Sequence, residues 1–103
     1  MLHVMLSLDF ANAEESRNDF YKYLDTKNWS KRDNVDTVWT FYLDKHTQTD
    51  SDEVIKFISS TLLAAAKEFK PDGITYVAQI GNAQAVSGGI AKKSGVYSSY
   101  TES

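Results

Sequence analysis

The segment Val4–Phe10 reads VMLSLDF, and its alternation sets the interpretation of the whole chain. Successive side chains of a β-strand point to opposite faces of a sheet. The apolar positions therefore fall on one face and the remainder on the other: Val4, Leu6 and Leu8 against Met5, Ser7 and Asp9. The alternation starts at Leu2 and predicts a strand over 2–10 with one buried face. An aspartate near the end of such an apolar strand raises the question of what it does there.

Two helices are predicted on either side of the middle of the chain. Asn12 is followed three residues later by Glu15, a spacing typical of a capped helix start, and indicates a helix at about 13–27. Asp50 and Glu53 repeat this spacing before a longer apolar stripe. The stripe recurs with helical periodicity: Val54, Ile55, Ile58, Leu62, Ala65, Ala66 and Phe69. Pro71 and Gly73 predict that this second helix ends near residue 70.

The remaining strands are predicted from alternation and turn residues. Asp33 and Asn34 favour a turn between strands at about 28–32 and 36–43. Another strand is expected over 74–80, and a short one over 95–100. The glycine- and serine-rich segment GNAQAVSGG after residue 80 is interpreted as a turn and a flexible connection.

The order strand, helix, strand, strand, helix, strand predicts an α+β fold of the ferredoxin-like βαββαβ type. Its four-stranded antiparallel sheet would carry two helices on one face, with a short fifth strand at the C-terminus. We expect one domain over 1–103, with a core at 1–81 and an extension at 82–103. The sheet face without helices would expose apolar side chains, which predicts a homodimer.

Composition narrows the classes of function. The chain has 103 residues, no cysteine and a net charge of −3. The absence of cysteine excludes disulfides and thiolate metal sites and favours the cytoplasm. No apolar leader opens the chain, and its longest apolar run is too polar to span a bilayer, so no membrane association is expected. The acidic balance disfavours nucleic acid as a partner, although a metal ion bridging to phosphate would permit it.

The segments LSLDF and DTVWTFYLD, in this order of elements, resemble a superfamily of small ferredoxin-like proteins. It comprises the small CRISPR-associated endonuclease of spacer adaptation, the virulence-associated protein D ribonucleases and the SinR-like proteins. The resemblance implies a homodimer in which an acid near the end of the first strand lies close to the dimer axis. Two copies of that acid can hold a divalent metal for nuclease chemistry, and the matching residue here is Asp9.

Asp9 therefore has two interpretations. As a catalytic residue and metal ligand it would bind Mg²⁺, which proteins hold with one or two carboxylates, waters and substrate phosphates. As a structural residue it would hydrogen-bond the turn into the first helix.

The histidines, the acidic group and the aromatic residues give no stronger indication of a functional site. His3 and His46 lack partners at metal-ligand spacing. Helix capping explains most of the acidic group, which consists of Asp44, Asp50, Asp52 and Glu53. The aromatic residues lack the neighbouring cations of RNA-binding sheets and are assigned to the core and a dimer interface: Trp29, Trp39, Phe41, Tyr42 and Tyr76.

Three functions stay open from the sequence: a metal-dependent nuclease, a non-catalytic protein-interaction module, and a small-molecule protein of the dimeric α+β-barrel type. In the third, polar side chains would line a pocket enclosed by the sheet and the helices: His3, Ser7, Thr40 and Tyr42.

Overall fold

The computed structural model describes residues 1–11, 14–32 and 37–102. Its strands are β1 (Leu2–Ala11), β2 (Ser30–Lys31), β3 (Val38–Leu43), β4 (Gly73–Ile80), β5 (Val86–Lys93) and β6 (Val96–Glu102). Its helices are α1 (Arg17–Thr26) and α2 (Ser51–Phe69), and a short 3₁₀ turn precedes each of them, at Glu14–Ser16 and Gln48–Asp50. Among the described residues, no helix combines the length and the apolar character needed to cross a membrane.

The strands form one six-stranded sheet in the order β2-β3-β1-β4-β5-β6, and every neighbouring pair is antiparallel. The chain is therefore α+β, as the order of elements predicts. The prediction of four strands with a short fifth was wrong, because the sheet has six. Strand β1 lies inside the sheet, where Leu6 pairs with Trp39 on one side and with Ala78 on the other.

One face of the sheet is covered by both helices. Strand β1 alternates strictly between buried and exposed side chains, as predicted. On the covered face Phe10 stacks on Phe20 of α1 at 4.3 Å, and Phe20 in turn contacts Phe69 of α2 at 4.9 Å. Because these rings connect the sheet to both helices, the two helices and the covered face share one apolar core.

The second helix confirms its prediction. Ile58 and Leu62 have no exposed surface, so the stripe faces the core. The helix ends where Lys70 takes a left-handed conformation with φ of 55°. The expected capping role of Asp50 was wrong: its carboxylate accepts the Thr47 N–H at 2.8 Å and so closes the preceding 3₁₀ turn instead of α2.

Strand β5 replaces the flexible connection that the sequence suggests, and this corrects the prediction. Gly88 pairs with Tyr76, and Gly89 pairs with Tyr100. A Cβ atom at Gly88 would lie 2.7 Å from the Tyr76 hydroxyl, and one at Gly89 would lie 2.7 Å from the Tyr100 hydroxyl. The glycines thus make room for tyrosine rings, which cover the strand where it lacks side chains.

Two predicted features lie outside the described residues. The expected capping residue Asn12 is one of them, and the Asp33–Asn34 turn is the other. Helix α1 itself runs from Arg17 to Thr26, within the predicted span.

Candidate functional site

The sheet face turned away from α1 and α2 is called the open face here. The register places these side chains on it: His3, Met5, Ser7 and Asp9 of β1, Thr40 and Tyr42 of β3, Thr75, Val77 and Gln79 of β4, and Tyr100 and Glu102 of β6. Several large apolar side chains are exposed there, with Tyr42 58% and Met5 51% accessible. The open face is the part of the molecule where the candidate functional residues gather.

A groove of about 520 Å³ crosses the open face from β2 to β4. The side chains that matter for its chemistry are His3, Met5, Arg32, Thr40, Tyr42 and Gln79. Met5 and Thr40 are cross-strand partners, so they lie side by side in the middle of the groove. We refer to this concavity as the anion groove, because Arg32 lines it and no carboxylate of a described residue does.

The aromatic wall of the anion groove consists of His3 and Tyr42. These residues are direct cross-strand partners on β1 and β3. Their ring centroids are 6.1 Å apart and their planes are inclined by 50°. Tyr42 is largely exposed, so its ring is available to a ligand.

The opposite wall comes from β2, where Arg32 follows the two-residue strand. Its backbone N–H donates to the Val38 carbonyl at 2.8 Å, which continues the pairing of β2 with β3. Ser30 pairs with Thr40 of the open face, and Arg32, two residues later, points to the same side. The turn from α1 into β2 passes through Asn28, whose φ of 64° is tolerated well by asparagine.

Gln79 closes the β4 end of the anion groove. Its side-chain amide nitrogen donates to the Gly81 carbonyl at 3.2 Å and also to the Ala83 carbonyl. These bonds fix the orientation of the amide, so its side-chain oxygen is left to accept hydrogen bonds from a ligand.

The anion groove has an unusual charge for this chain. The protein carries a net charge of −3. Among the described residues, the groove is lined by no aspartate or glutamate, whereas it holds Arg32 and His3. Arg32 is exposed and forms no ion pair with a described residue, so its guanidinium remains available to an anionic group.

Asp9 lies on the same face but outside the anion groove. It pairs with Thr75 two residues before β1 ends, so it is inside the ladder. It lines a shallow hollow of about 270 Å³ together with Ser7, Thr75, Tyr100 and Glu102. Its carboxylate makes no hydrogen bond or ion pair with a described residue, and residues 12 and 13, which the structural interpretation of Asp9 involves, lie outside the described ranges.

Two carboxylates line the hollow, but they lie too far apart to bind the same ion. Glu102 lies on β6, three strands from Asp9, or roughly 14 Å at the usual strand spacing. That separation prevents the two side chains from sharing one ion. Nowhere in the described part of the chain do three histidine, aspartate or glutamate side chains gather to hold a metal. A Mg²⁺ site with two carboxylates at Asp9 would therefore need the second one from another copy.

The other candidate residues separate. His3 lines the anion groove. His46 lies in the loop before α2, where its Nε2 atom is 3.5 Å from a carboxylate oxygen of Glu53. Of the five aromatic residues selected from the sequence, Tyr42 is the exposed one. Trp29, Trp39, Phe41 and Tyr76 are buried, and Trp29 stacks on Phe41 at 4.9 Å, so these rings belong to the core as predicted.

The pocket expected for a small molecule is brought together in part. His3, Thr40 and Tyr42 share the anion groove, whereas Ser7 lines the neighbouring hollow. The prediction placed them between sheet and helices; they lie on the opposite side, because β1 turns its odd-numbered residues outward. Arg32 and Gln79 were missed. No pattern in the sequence could have revealed Arg32, because the strand before it has only two residues.

Comparison with protein-family models, with curated proteins and with solved structures finds no match to this chain.

Proposed function

We propose that this chain is a non-catalytic binding protein for a small organic anion, and that the anion groove is its site. The observation that carries the proposal is that Arg32 and the His3–Tyr42 ring pair line one groove, and that no carboxylate stands among its described lining residues. In a chain with a net charge of −3, Arg32 supplies this groove with a positive group that an anion can contact.

The lining residues suggest the chemistry of the ligand. The Arg32 guanidinium offers paired donors that match a carboxylate or a phosphate. The exposed face of Tyr42 offers a flat apolar surface for a ring. The volume of about 520 Å³ falls in the range usual for small-molecule sites. We therefore propose a planar aromatic ring bearing one anionic group.

Calorimetric titration tests this with matched probes. The first pair is 2-naphthoate and 2-naphthylmethanol, which share a ring and differ in charge; the second is AMP and adenosine. We expect the anion of at least one pair to bind and its neutral counterpart to bind about tenfold more weakly, as for loss of one charge-assisted hydrogen bond. Equal binding by both members of each pair, or binding of none, would contradict the proposal.

Variants then locate the site. Arg32→Gln should weaken the anion by a similar factor. Arg17→Gln removes the same charge from the exposed start of α1 and should leave affinity unchanged. If both variants weaken the anion equally, its attraction is a property of the whole molecule and the groove is not the site.

A second candidate function is the metal-dependent nuclease of the superfamily that the chain resembles. It is favoured by one observation: the Asp9 carboxylate is free of described partners and lies on the open face. A homodimer formed by two open faces would bring two copies of Asp9 together, and these would hold Mg²⁺. Nucleic acid would then be the partner, in spite of the acidic charge.

Cleavage assays decide this second candidate. Labelled RNA and DNA are incubated with the protein, with and without Mg²⁺ or Mn²⁺. Asp9→Ala should abolish metal-dependent cleavage, whereas Asp25→Ala, which removes an exposed carboxylate from α1, should retain it. Cleavage that persists in Asp9→Ala would come from another source.

A further inference from the structure

The outer edge of β6 is the most exposed backbone surface of the sheet. β6 pairs with β5 on one side and ends the sheet on the other. It runs for seven residues, whereas β2 at the opposite edge has two. A row of unpaired N–H and C=O groups of this length is a template for another strand.

β6 lacks the features that usually protect such an edge. Its sequence VYSSYTE contains no proline and no lysine, and Glu102 at its end is its one charged residue. Its pairing with β5 runs unbroken from Val96 to Glu102 without a bulge. Valine, tyrosine and threonine are also residues that favour strands. The edge is therefore flat, polar and open to pairing.

A groove of about 540 Å³ runs beside this edge, between β6 and α2. Ile55 and Leu63 of α2 are half-buried along it. The helix layer therefore stops short of the sheet edge. A strand added beyond β6 would lay its alternate side chains over this groove and remove the apolar surface of α2 from water.

We propose that a second copy of this chain occupies the edge, with β6 of each copy pairing antiparallel about a twofold axis near Ser99. The reason is that the middle of β6 and the middle of α2 lie at the same groove. Ser99 is the middle residue of β6 and Ser60 is the middle residue of α2, and both line the same groove. One axis beside Ser99 therefore brings β6 and α2 into antiparallel register with their own copies at once.

Charge complementarity supports a second copy over an unrelated peptide. Asp52 and Lys56 line the groove toward the start of α2, and Lys67 follows at helical spacing near its end. In the antiparallel arrangement Asp52 of one copy faces Lys67 of the other. The two Glu102 side chains lie at opposite ends of the strand pair, roughly 20 Å apart, so they do not repel strongly.

This dimer stands independently of the anion groove and differs from the one that the nuclease candidate needs. In this dimer the two Asp9 residues lie seven strand spacings apart, or about 34 Å, which is too far for them to share an ion. The open faces of both copies would instead form one continuous twelve-stranded surface. Which dimer forms therefore distinguishes the two interpretations of Asp9, as a shared metal ligand or as a residue without a metal.

Light scattering after gel filtration tests the proposal with two variants of equal charge. Ser99→Lys places two lysines at the axis, and Thr75→Lys adds the same charge on the open face beside Asp9. Both positions are exposed, so both variants should fold, which circular dichroism verifies. At high micromolar concentration we expect a dimer for the parent and for Thr75→Lys, and a monomer of 11.6 kDa for Ser99→Lys. Any other pattern among folded proteins overturns the proposal.

Cross-linking gives a second readout, since the chain has no cysteine of its own. Facing residues of antiparallel strands have Cα atoms about 4.5–5.5 Å apart, within reach of a disulfide. Mild oxidation of Ser99→Cys should therefore join two chains covalently. Ser87→Cys on the open side of β5 is the control and should remain single chains. Efficient linking of the control with none at residue 99 would overturn the proposed axis.

Discussion

Tyr76 lies directly across Gly88 in the sheet, and its hydroxyl occupies the space where any other residue would place a Cβ atom. That Cβ would lie 2.7 Å from the hydroxyl oxygen and 2.6 Å from the backbone oxygen of Tyr100. Because backbone cannot move aside cheaply, the glycine is a requirement of the fold at this point. The same strand would otherwise be too crowded to pair on both sides.

Gly88→Ala should therefore destabilise the protein by about 1–3 kcal/mol, the range for overpacked interiors. The matched control is Gly73→Ala, where a Cβ would meet its nearest atom at an ordinary 3.4 Å. That change should stay within about 0.5 kcal/mol. Urea unfolding measures both, and equal stability of the two variants would show that Tyr76 does not press on Gly88.

Tyr76→Phe should raise the free energy of unfolding by about 1 kcal/mol. The Tyr76 hydroxyl is buried and has no hydrogen-bond partner among the described residues. Burial of a hydroxyl without a hydrogen-bond partner destabilises the folded state, and phenylalanine has no hydroxyl to bury. Denaturant unfolding is the measurement, and a clear loss of stability would mean that the hydroxyl is hydrogen-bonded after all.

The core face of α2 is tested by Ile58→Ala and Leu62→Ala. Both side chains are fully buried, so each change should cost about 2–5 kcal/mol. Glu68→Ala on the exposed side of the same helix should change stability by less than about 0.5 kcal/mol. Small losses at all three positions would place the apolar stripe away from the core.

Asp9→Asn separates a metal ligand from a surface residue. If Asp9 is a surface residue, the parent protein and the variant should melt at the same temperature, with or without Mg²⁺, because the carboxylate has no described partner to lose. If two copies of Asp9 hold an ion, Mg²⁺ should raise the melting temperature of the parent alone. The first outcome is the one we expect.

Much of this fold could be predicted because its signals are local. The alternation of β1 and the stripe of α2 each arise from the periodicity of a single element, so no knowledge of neighbours is needed. The Gly88-Gly89 pair led to the wrong prediction of a flexible connection, because the reason for these glycines lies in neighbouring strands. A glycine pair usually marks a turn, and here it accommodates tyrosines from two other strands, Tyr76 and Tyr100.

The candidate site likewise combines residues that local patterns predict with residues that only the arrangement of the strands brings in. His3, Thr40 and Tyr42 could be selected from their alternation, but the side of the sheet on which they meet depends on which face the helices cover. Arg32 follows a strand of two residues, which is too short to show a pattern, so its place in the anion groove follows only from the pairing of β2 with β3.

The binding function is tested most directly by ¹H–¹⁵N NMR titrations of the parent protein with 2-naphthoate and, separately, with AMP. We expect saturable shifts confined to amides around the anion groove, including those of Met5, Arg32, Thr40 and Tyr42, with Arg32→Gln suppressing them. Amides of the α2–β6 groove, such as Ser60 and Ser99, serve as the internal reference and should not move. Shifts that spread evenly over both grooves, or no shifts with either anion at millimolar concentration, would contradict a binding site on the open face.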